Sequence, residues 1–324
     1  MHIMSKKVEI KMVFSLVEAI APASSANLGA GFDVFGVALD ALFDRVVVEK
    51  TGEEKIRMEV EGEGYESIPK EPEKNTAGIV AKELLKLSRE KIGLRIKIYK
   101  GIRPGSGLGS SAASAAAAAI AINELLGLRL SQTEIINFAA LGELASAGAP
   151  HADNVAAAIM GNFIVIVSRN PLEVINLKLP KNAGFAIALP KIKLDTRMAR
   201  SVLPKSIDLK SLVHNVGRAA AFVSGIALNS VEIMGKGMVD AVVEPARARL
   251  IPGLKNVKEE ALKAGAVGVA LSGAGPSVIA LVNSEKVNVK DVAYAMKEAF
   301  EEIGIESVTI CTKPGEGARI IRRE

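Results

Sequence analysis

Residues 103–120 read RPGSGLGSSAASAAAAAI, with glycines at 105, 107 and 109, serines between and after them, and then a run of alanines. The stretch contains no lysine, histidine or acid. Before it stands LRIKIYKGI (94–102), whose apolar residues alternate with period two and so read as a strand. After it, Ala112–Leu126 has high helix propensity and stops at Gly127, a C′ position. A strand feeding a Gly/Ser loop and then a helix presents backbone N–H groups at the positive end of a helix dipole. Such an arrangement binds phosphate with no cationic side chain. Gly105, Gly107 and Gly109 permit positive φ and close backbone approach, and Ser106, Ser110 and Ser111 offer hydroxyls to phosphate oxygens or a magnesium ion. A plain Gly-rich turn before a helix would carry the same residues. Two familiar templates fail. A P-loop needs Lys-Ser/Thr after its last glycine, where Ser110 stands here. A Rossmann fingerprint needs G-x-G-x-x-G and an acid at a strand end, whereas the spacing is G-x-G-x-G and Glu124 falls inside the helix.

Working outward, FDRVVVEK (43–50) and IRMEVEGEG (56–64) read as strands, and TAGIVAKELLKLSRE (76–90) has helical spacing. Ser131 and Glu134 form a capping-box pattern opening a second helix through residue 148. GNFIVIVS (161–168) is a strand, and the polar RNPLEVINLKLPKNAG (169–184) reads as an inter-domain connection. Beyond it come the strand FAIALP (185–190), helical patterns at 212–229 and 257–265, and a strand pair around ALSGAGPSVIALV (270–282). A last helix (292–304) and a terminal strand follow. Strands and helices mix without strict βα alternation, which favours two α+β domains, expected at 1–178 and 179–324.

Composition bounds the function. Half of the 324 residues are apolar (49 %), 24 % are charged, and a net charge of +5 with 4 % aromatics does not suit a nucleic-acid binder. Cys311 is the one cysteine, which excludes an internal disulfide and suits a reducing cytoplasm. With only His2, His151 and His214 beside it, a His/Cys zinc site is not expected. The N-terminal KKVEIKMVFSLVEAIAPAS (6–24) has some features of a signal peptide. Glu18 interrupts it, the apolar core Met12–Val17 is short, and a strand is the better reading. The longest uncharged segment, 265–282, has four glycines and Pro276, against a membrane helix. The expectation is a soluble cytoplasmic protein.

PGSGLGSSAAS (104–114) resembles the phosphate-loop motif P-x-x-x-G-L-G-S-S-A of the small-molecule kinases grouped as galactokinase, homoserine kinase, mevalonate kinase and phosphomevalonate kinase. APASSANLGAGFDVFGVAL (21–39) resembles the first motif of that family and LSGAGPSVIAL (271–281) its third. SANLGAGFDVFG (25–36), GELASAGAPHADNVAAAIMGNF (142–163), HNVGRAAAFVSGI (214–226) and EPARARLIPG (244–253) are similar to the homoserine kinase branch, so the resemblance spans nearly the whole chain. It implies an N-terminal domain like the second domain of ribosomal protein S5 and a ferredoxin-like C-terminal domain, with the site between them. It implies Mg·ATP and L-homoserine as ligands. The sequence leaves a homodimer open. Other members acting on shikimate or mevalonate, or a non-catalytic sensor of ATP and an amino acid, are the rival readings.

The resemblance also implies residue roles. Pro104, Gly105, Ser106, Gly107, Leu108, Gly109, Ser110 and Ser111 would cradle ATP, and Ser111 with Glu143 would hold the magnesium. Glu143 falls on the apolar side of its helix, in register with Ile136 and Ala139 or Ala140, where a carboxylate is costly unless compensated. In the HADN stretch, His151 and Asn154 would face the substrate; Asn154 occupies the position of mevalonate kinase's aspartate base, and Asp153 is one residue off that register. Enzymes of this branch are thought to align the hydroxyl with the γ-phosphate instead, and positioning with electrostatics can supply most of the catalysis. An amino-acid substrate needs an acid for its ammonium and a guanidinium fork for its carboxylate. Asn27 and Asp33 would serve the first need, and Arg200 and Arg247, helped by Thr196, the second. Both arginines lie among other basic residues (Arg197, Arg249), where a solvated arginine is the commoner case. Gly273, in the turn Ser272–Gly275, would close over the substrate.

Overall fold

The computed structural model describes residues 14–88, 91–147 and 152–324. Its first part runs β1 (Leu16–Asn27), β2 (Gly31–Thr51), β3 (Ile56–Gly62), α1 (Thr76–Leu85), β4 (Gly93–Lys100), α2 (Ser110–Leu126), α3 (Gln132–Ala147), α4 (Asp153–Met160), β5 (Phe163–Arg169) and β6 (Leu172–Leu177). The second part runs β7 (Ala183–Pro190), α5 (Thr196–Ser201), α6 (Leu209–Ala227), α7 (Val231–Lys236), α8 (Val243–Ala248), α9 (Leu254–Lys263), β8 (Gly268–Leu271), β9 (Val278–Asn283), α10 (Val289–Glu301), β10 (Ser307–Thr312) and β11 (Arg319–Arg323).

Local chemistry explains several of these boundaries. Asn75 caps α1 by accepting from the N–H groups of Ala77 and Gly78. At α3, the Ser131 N–H donates to Glu134 and the Glu134 N–H donates back to Ser131 Oγ, a reciprocal capping box. Helix α2 ends as its sequence indicates, at Gly127 with φ 59°.

Two sheets result, and the fold is α+β. The first has order β11-β1-β2-β4-β3, with β5 on β2 and β6 on β5; only β3 and β4 pair parallel. The second is antiparallel, order β10-β7-β9-β8. LEVINL (172–177), expected within a connection, is instead β6, a hairpin partner of β5. Leu172 and Val174 face inward with Glu173 and Ile175 exposed, but the alternation breaks at the exposed Asn176 and half-buried Leu177, so period two does not mark the strand. The final strand β11 leaves the second part and pairs with β1, so the two sheets do not divide the chain at a single point.

Helix α2 is the axis of the first core. Ala112, Ala113 and Ala115–Ala119 are buried, and their small side chains let the helix lie close against β1, β2, α1, α3 and α4. Phe222 of α6 reaches into that core, where its ring lies 5.1 Å from Phe163 and 5.6 Å from Phe35. This aromatic contact, with Ile226 and Met234, fixes the second part against the first and leaves a cleft along their junction. Among the described residues, no helix is long and apolar enough to cross a membrane.

Candidate active site

The cleft has a volume of about 730 Å³, in the range of small-molecule sites. The phosphate loop lines one side. Pro104, Gly105, Ser106, Gly107, Gly109, Ser110 and Ser111 all face it, whereas Leu108, also expected there, turns its side chain into the core. Gly109 (φ 65°) stands at the N-cap of α2, with no side chain capping the helix, so its first turn is open toward the cleft. Glycine is required in this loop. A Cβ on Gly107 would lie 2.5 Å from Ser272 O and 2.7 Å from Gly275 O, and one on Gly109 would lie 2.1 Å from Ser24 Oγ.

The serines divide their work. Ser110 Oγ donates to Ile102 O (2.7 Å) and holds the loop to the end of its strand. The Ser106 hydroxyl accepts from the Leu108 N–H. Ser111 Oγ donates to Glu143 Oε2 (3.1 Å), joining α2 to α3 at the wall of the cleft. The buried Glu143 carboxylate and the Ser111 hydroxyl are hard oxygen donors on one spot. Among the described residues there is no cluster of three carboxylate, imidazole or thiolate groups. One carboxylate and one hydroxyl, completed by water and the phosphates of a nucleotide when one is bound, would be a donor set that fits magnesium, which is seldom held by an all-protein cage.

Beneath the loop lies an ion pair that sequence reasoning missed. Lys100 Nζ pairs with Asp44 and donates to Ser110 O (2.8 Å) and Ser114 Oγ (2.9 Å). Asp44 also accepts from Ser114 Oγ (2.6 Å) and from the N–H groups of Gly101 (3.1 Å) and Ile102 (3.2 Å). Burial pulls the Lys100 pKa below the ordinary lysine range, against the raising effect of Asp44 and Glu143. The signal available was a lysine closing an apolar strand just before the glycines.

The other side of the cleft carries the charges expected of an amino-acid site. Asn27, Asp33, Asp153, Asn154, Thr196, Arg200, Arg247 and Gly273 all line it. His151 lies outside the described residues. Asn27 Nδ2 and Arg247 Nη1 both donate to Gly273 O (2.8 and 3.1 Å), and Arg247 Nε donates to Ala199 O (3.0 Å). Arg247 is thus buried rather than solvated, stacked 5.5 Å from the Phe32 ring, and desolvation pulls its pKa down. The third Gly motif is the β8–β9 turn, and it is tied to the phosphate loop. Ser272 Oγ donates to Gly107 O (2.7 Å), and Gly273 N donates to Ala26 O (3.0 Å). Asp33 and Arg200, assigned by resemblance to opposite ends of a substrate, are paired with each other at 2.9 Å.

Asp153 and Asn154, expected in a loop, form the first turn of α4. Asn154 Oδ1 accepts from Ser24 Oγ (3.0 Å). Asp153 is buried, and its carboxyl is pushed up to about 6, first by desolvation and then by the charge of Asp33.

A Gly/Ser loop at the N-terminus of α2 thus faces acidic and guanidinium side chains across one cleft. The family models describe residues 75–162 as "GHMP kinases N terminal domain" and residues 204–302 as "GHMP kinases C terminal". The chain belongs to the GHMP kinase family. It is 46 % identical over 285 residues to a homoserine kinase of Methanococcus vannielii, covering 88 % of this chain and 93 % of that one. It is 45 % identical over 300 residues to a homoserine kinase of Haloarcula marismortui, covering 93 % and 98 %. The crystal structure of homoserine kinase from Cytophaga hutchinsonii superposes with a TM-score of 0.90 at 37 % identity, covering 96 % of this chain and 99 % of that one.

Proposed function

We infer that this chain transfers the γ-phosphoryl group of ATP to the side-chain hydroxyl of L-homoserine, giving ADP and O-phospho-L-homoserine. The observation that carries the substrate side is the meeting of Asp33, Arg200 and Arg247 with the phosphate loop in one cleft. An α-amino acid presents an ammonium and a carboxylate at one end. Asp33 is the acid for the first, and Arg200 and Arg247, with Thr196, are the donors for the second. The hydroxyl at the other end of the substrate is then directed toward the γ-phosphate.

The phosphate loop and the open first turn of α2 hold the phosphates. Ser111 and Glu143 are the residues that would hold magnesium, which when bound neutralises charge on the transferring group. The substrate oxygen forms the new P–O bond as the bond to the β-phosphate oxygen breaks, and the hydroxyl proton passes to the transferring phosphoryl group. Asn154, fixed by Ser24, orients the reacting groups and has no capacity to take that proton. Asn154 thus supplies no base, and what this position contributes is alignment of the hydroxyl with the γ-phosphate.

ADP release with Mg·ATP is measured against L-homoserine, L-serine, mevalonate and shikimate. Turnover confined to homoserine is the expected result. Turnover of mevalonate or shikimate instead, neither of which has an ammonium, would overturn the substrate assignment. No turnover of any of the four, with ATP bound, would overturn the kinase assignment in favour of a sensor.

A further inference from the structure

Arg169, the last residue of β5, stands outside the lining of the cleft yet reaches the residue on which ammonium recognition depends. Strand β5 pairs antiparallel with β2 from Phe35↔Val165 to Val37↔Phe163, and continuing that register brings the end of β5 alongside the start of β2. There Arg169 Nη2 donates to Asp33 O (3.1 Å) and lies 3.5 Å from Asp33 Oδ2. Asp33 needs such support. Its φ is 56°, a left-handed conformation that non-glycine residues rarely adopt, and its N–H is held by Asn27 Oδ1 (3.1 Å). Its peptide is therefore gripped on both sides, by Asn27 and by Arg169.

Arg169 and Arg200 both pair with the Asp33 carboxylate, in different surroundings, while Arg247 acts on it only through its charge. Arg200 lines the cleft and Arg169 does not. A zwitterion that binds here must open the Asp33–Arg200 pair, giving its ammonium to Asp33 and its carboxylate to Arg200. Two ion pairs then replace one. The exchange is favourable only if Asp33 keeps its place when Arg200 turns to its new partner.

We propose that Arg169 is the positioning residue that holds the Asp33 carboxylate for the substrate ammonium while Arg200 is engaged by the substrate carboxylate. This rests on the homoserine reading above. An alcohol with a single charge has no counterpart for one end of the opened pair, so the same device selects zwitterions.

The test uses Arg169→Ala and Arg169→Lys in steady-state kinetics, with 4-hydroxybutanoate as an inhibitor that lacks the ammonium. Removing a charge-assisted hydrogen bond from Asp33 should raise KM for homoserine about tenfold. Neither KM for ATP nor kcat should move by more than about twofold, and inhibition by 4-hydroxybutanoate, which has no ammonium for Asp33 to hold, should weaken clearly less than homoserine binding does. Arg169→Lys should recover part of the loss and serves alone if Arg169→Ala does not fold. An unchanged KM for homoserine would overturn the proposal. So would parallel weakening of homoserine and 4-hydroxybutanoate, the mark of a merely loosened fold. A parent protein that does not turn over homoserine overturns the function reading instead, so the two failures are distinct.

Discussion

Replacing Lys100 with methionine tests whether a buried ion pair supports the phosphate loop. Lys100 and Asp44 have side chains 1 % and 0 % exposed, and every ammonium donor is used: on Asp44, on Ser110 O and on Ser114 Oγ. Methionine fills nearly the same space but leaves the Asp44 carboxylate buried without its counter-charge and Ser110 O without that donor. Removing one partner of a buried pair costs about 3–5 kcal/mol. Asp44 would keep three neutral donors, the Ser114 hydroxyl and the N–H groups of Gly101 and Ile102, which places the expected loss near the lower end, about 3 kcal/mol. The double variant Lys100→Met/Asp44→Asn no longer buries a charge and should recover at least half of that loss. Urea unfolding at about pH 7 of the parent, both single variants and the double variant gives the coupling directly. Because Ser110 opens α2, Lys100→Met should also raise KM for ATP more than that for homoserine. A loss below about 1 kcal/mol, or a double variant no more stable than Lys100→Met, would refute the reasoning.

Asp153 supplies a pH-dependent prediction. Its folded pKa of about 6 lies above the ordinary 3.8, so the folded state retains the proton where the unfolded chain releases it, and stability falls as pH rises from about 4 to about 6. Asp153→Asn, which can still accept the Asn154 N–H, should gain about 1–3 kcal/mol at pH 8 and nothing at pH 4. Urea unfolding at the two pH values decides it, and an equal gain at both would sink the idea. Arg247→Ala should raise KM for homoserine about 30-fold, corresponding to about 2 kcal/mol, with a far smaller change for ATP. Equal changes in the two Michaelis constants would remove Arg247 from substrate recognition.

What sequence alone determined about this protein is what neighbouring residues decide. The strand, Gly/Ser loop and alanine helix from 94 to 126, the stop at Gly127 and the Ser131–Glu134 capping box all follow from interactions within a few positions. The burial of Glu143 was legible too, because helical periodicity put it on the apolar face.

The remainder depends on which distant segments meet. Hairpin β6 was hidden because a half-exposed strand with polar flanks carries a weak pattern, and the return of β11 to β1 has no local signature. The charged network was equally hidden. Lys100 finds Asp44 across 56 positions, Arg169 reaches Asp33 across 136, and Arg200 meets the same carboxylate across 167. Composition showed arginines among other basic residues, for which solvation was the ordinary expectation. Only the packing of α8 against α5 and the third Gly turn shows Arg247 to be buried, donating to two backbone carbonyls. Local order is set by backbone geometry and capping over a turn or two, whereas the partner of a charge is set by topology, which brings segments together only once the core has formed.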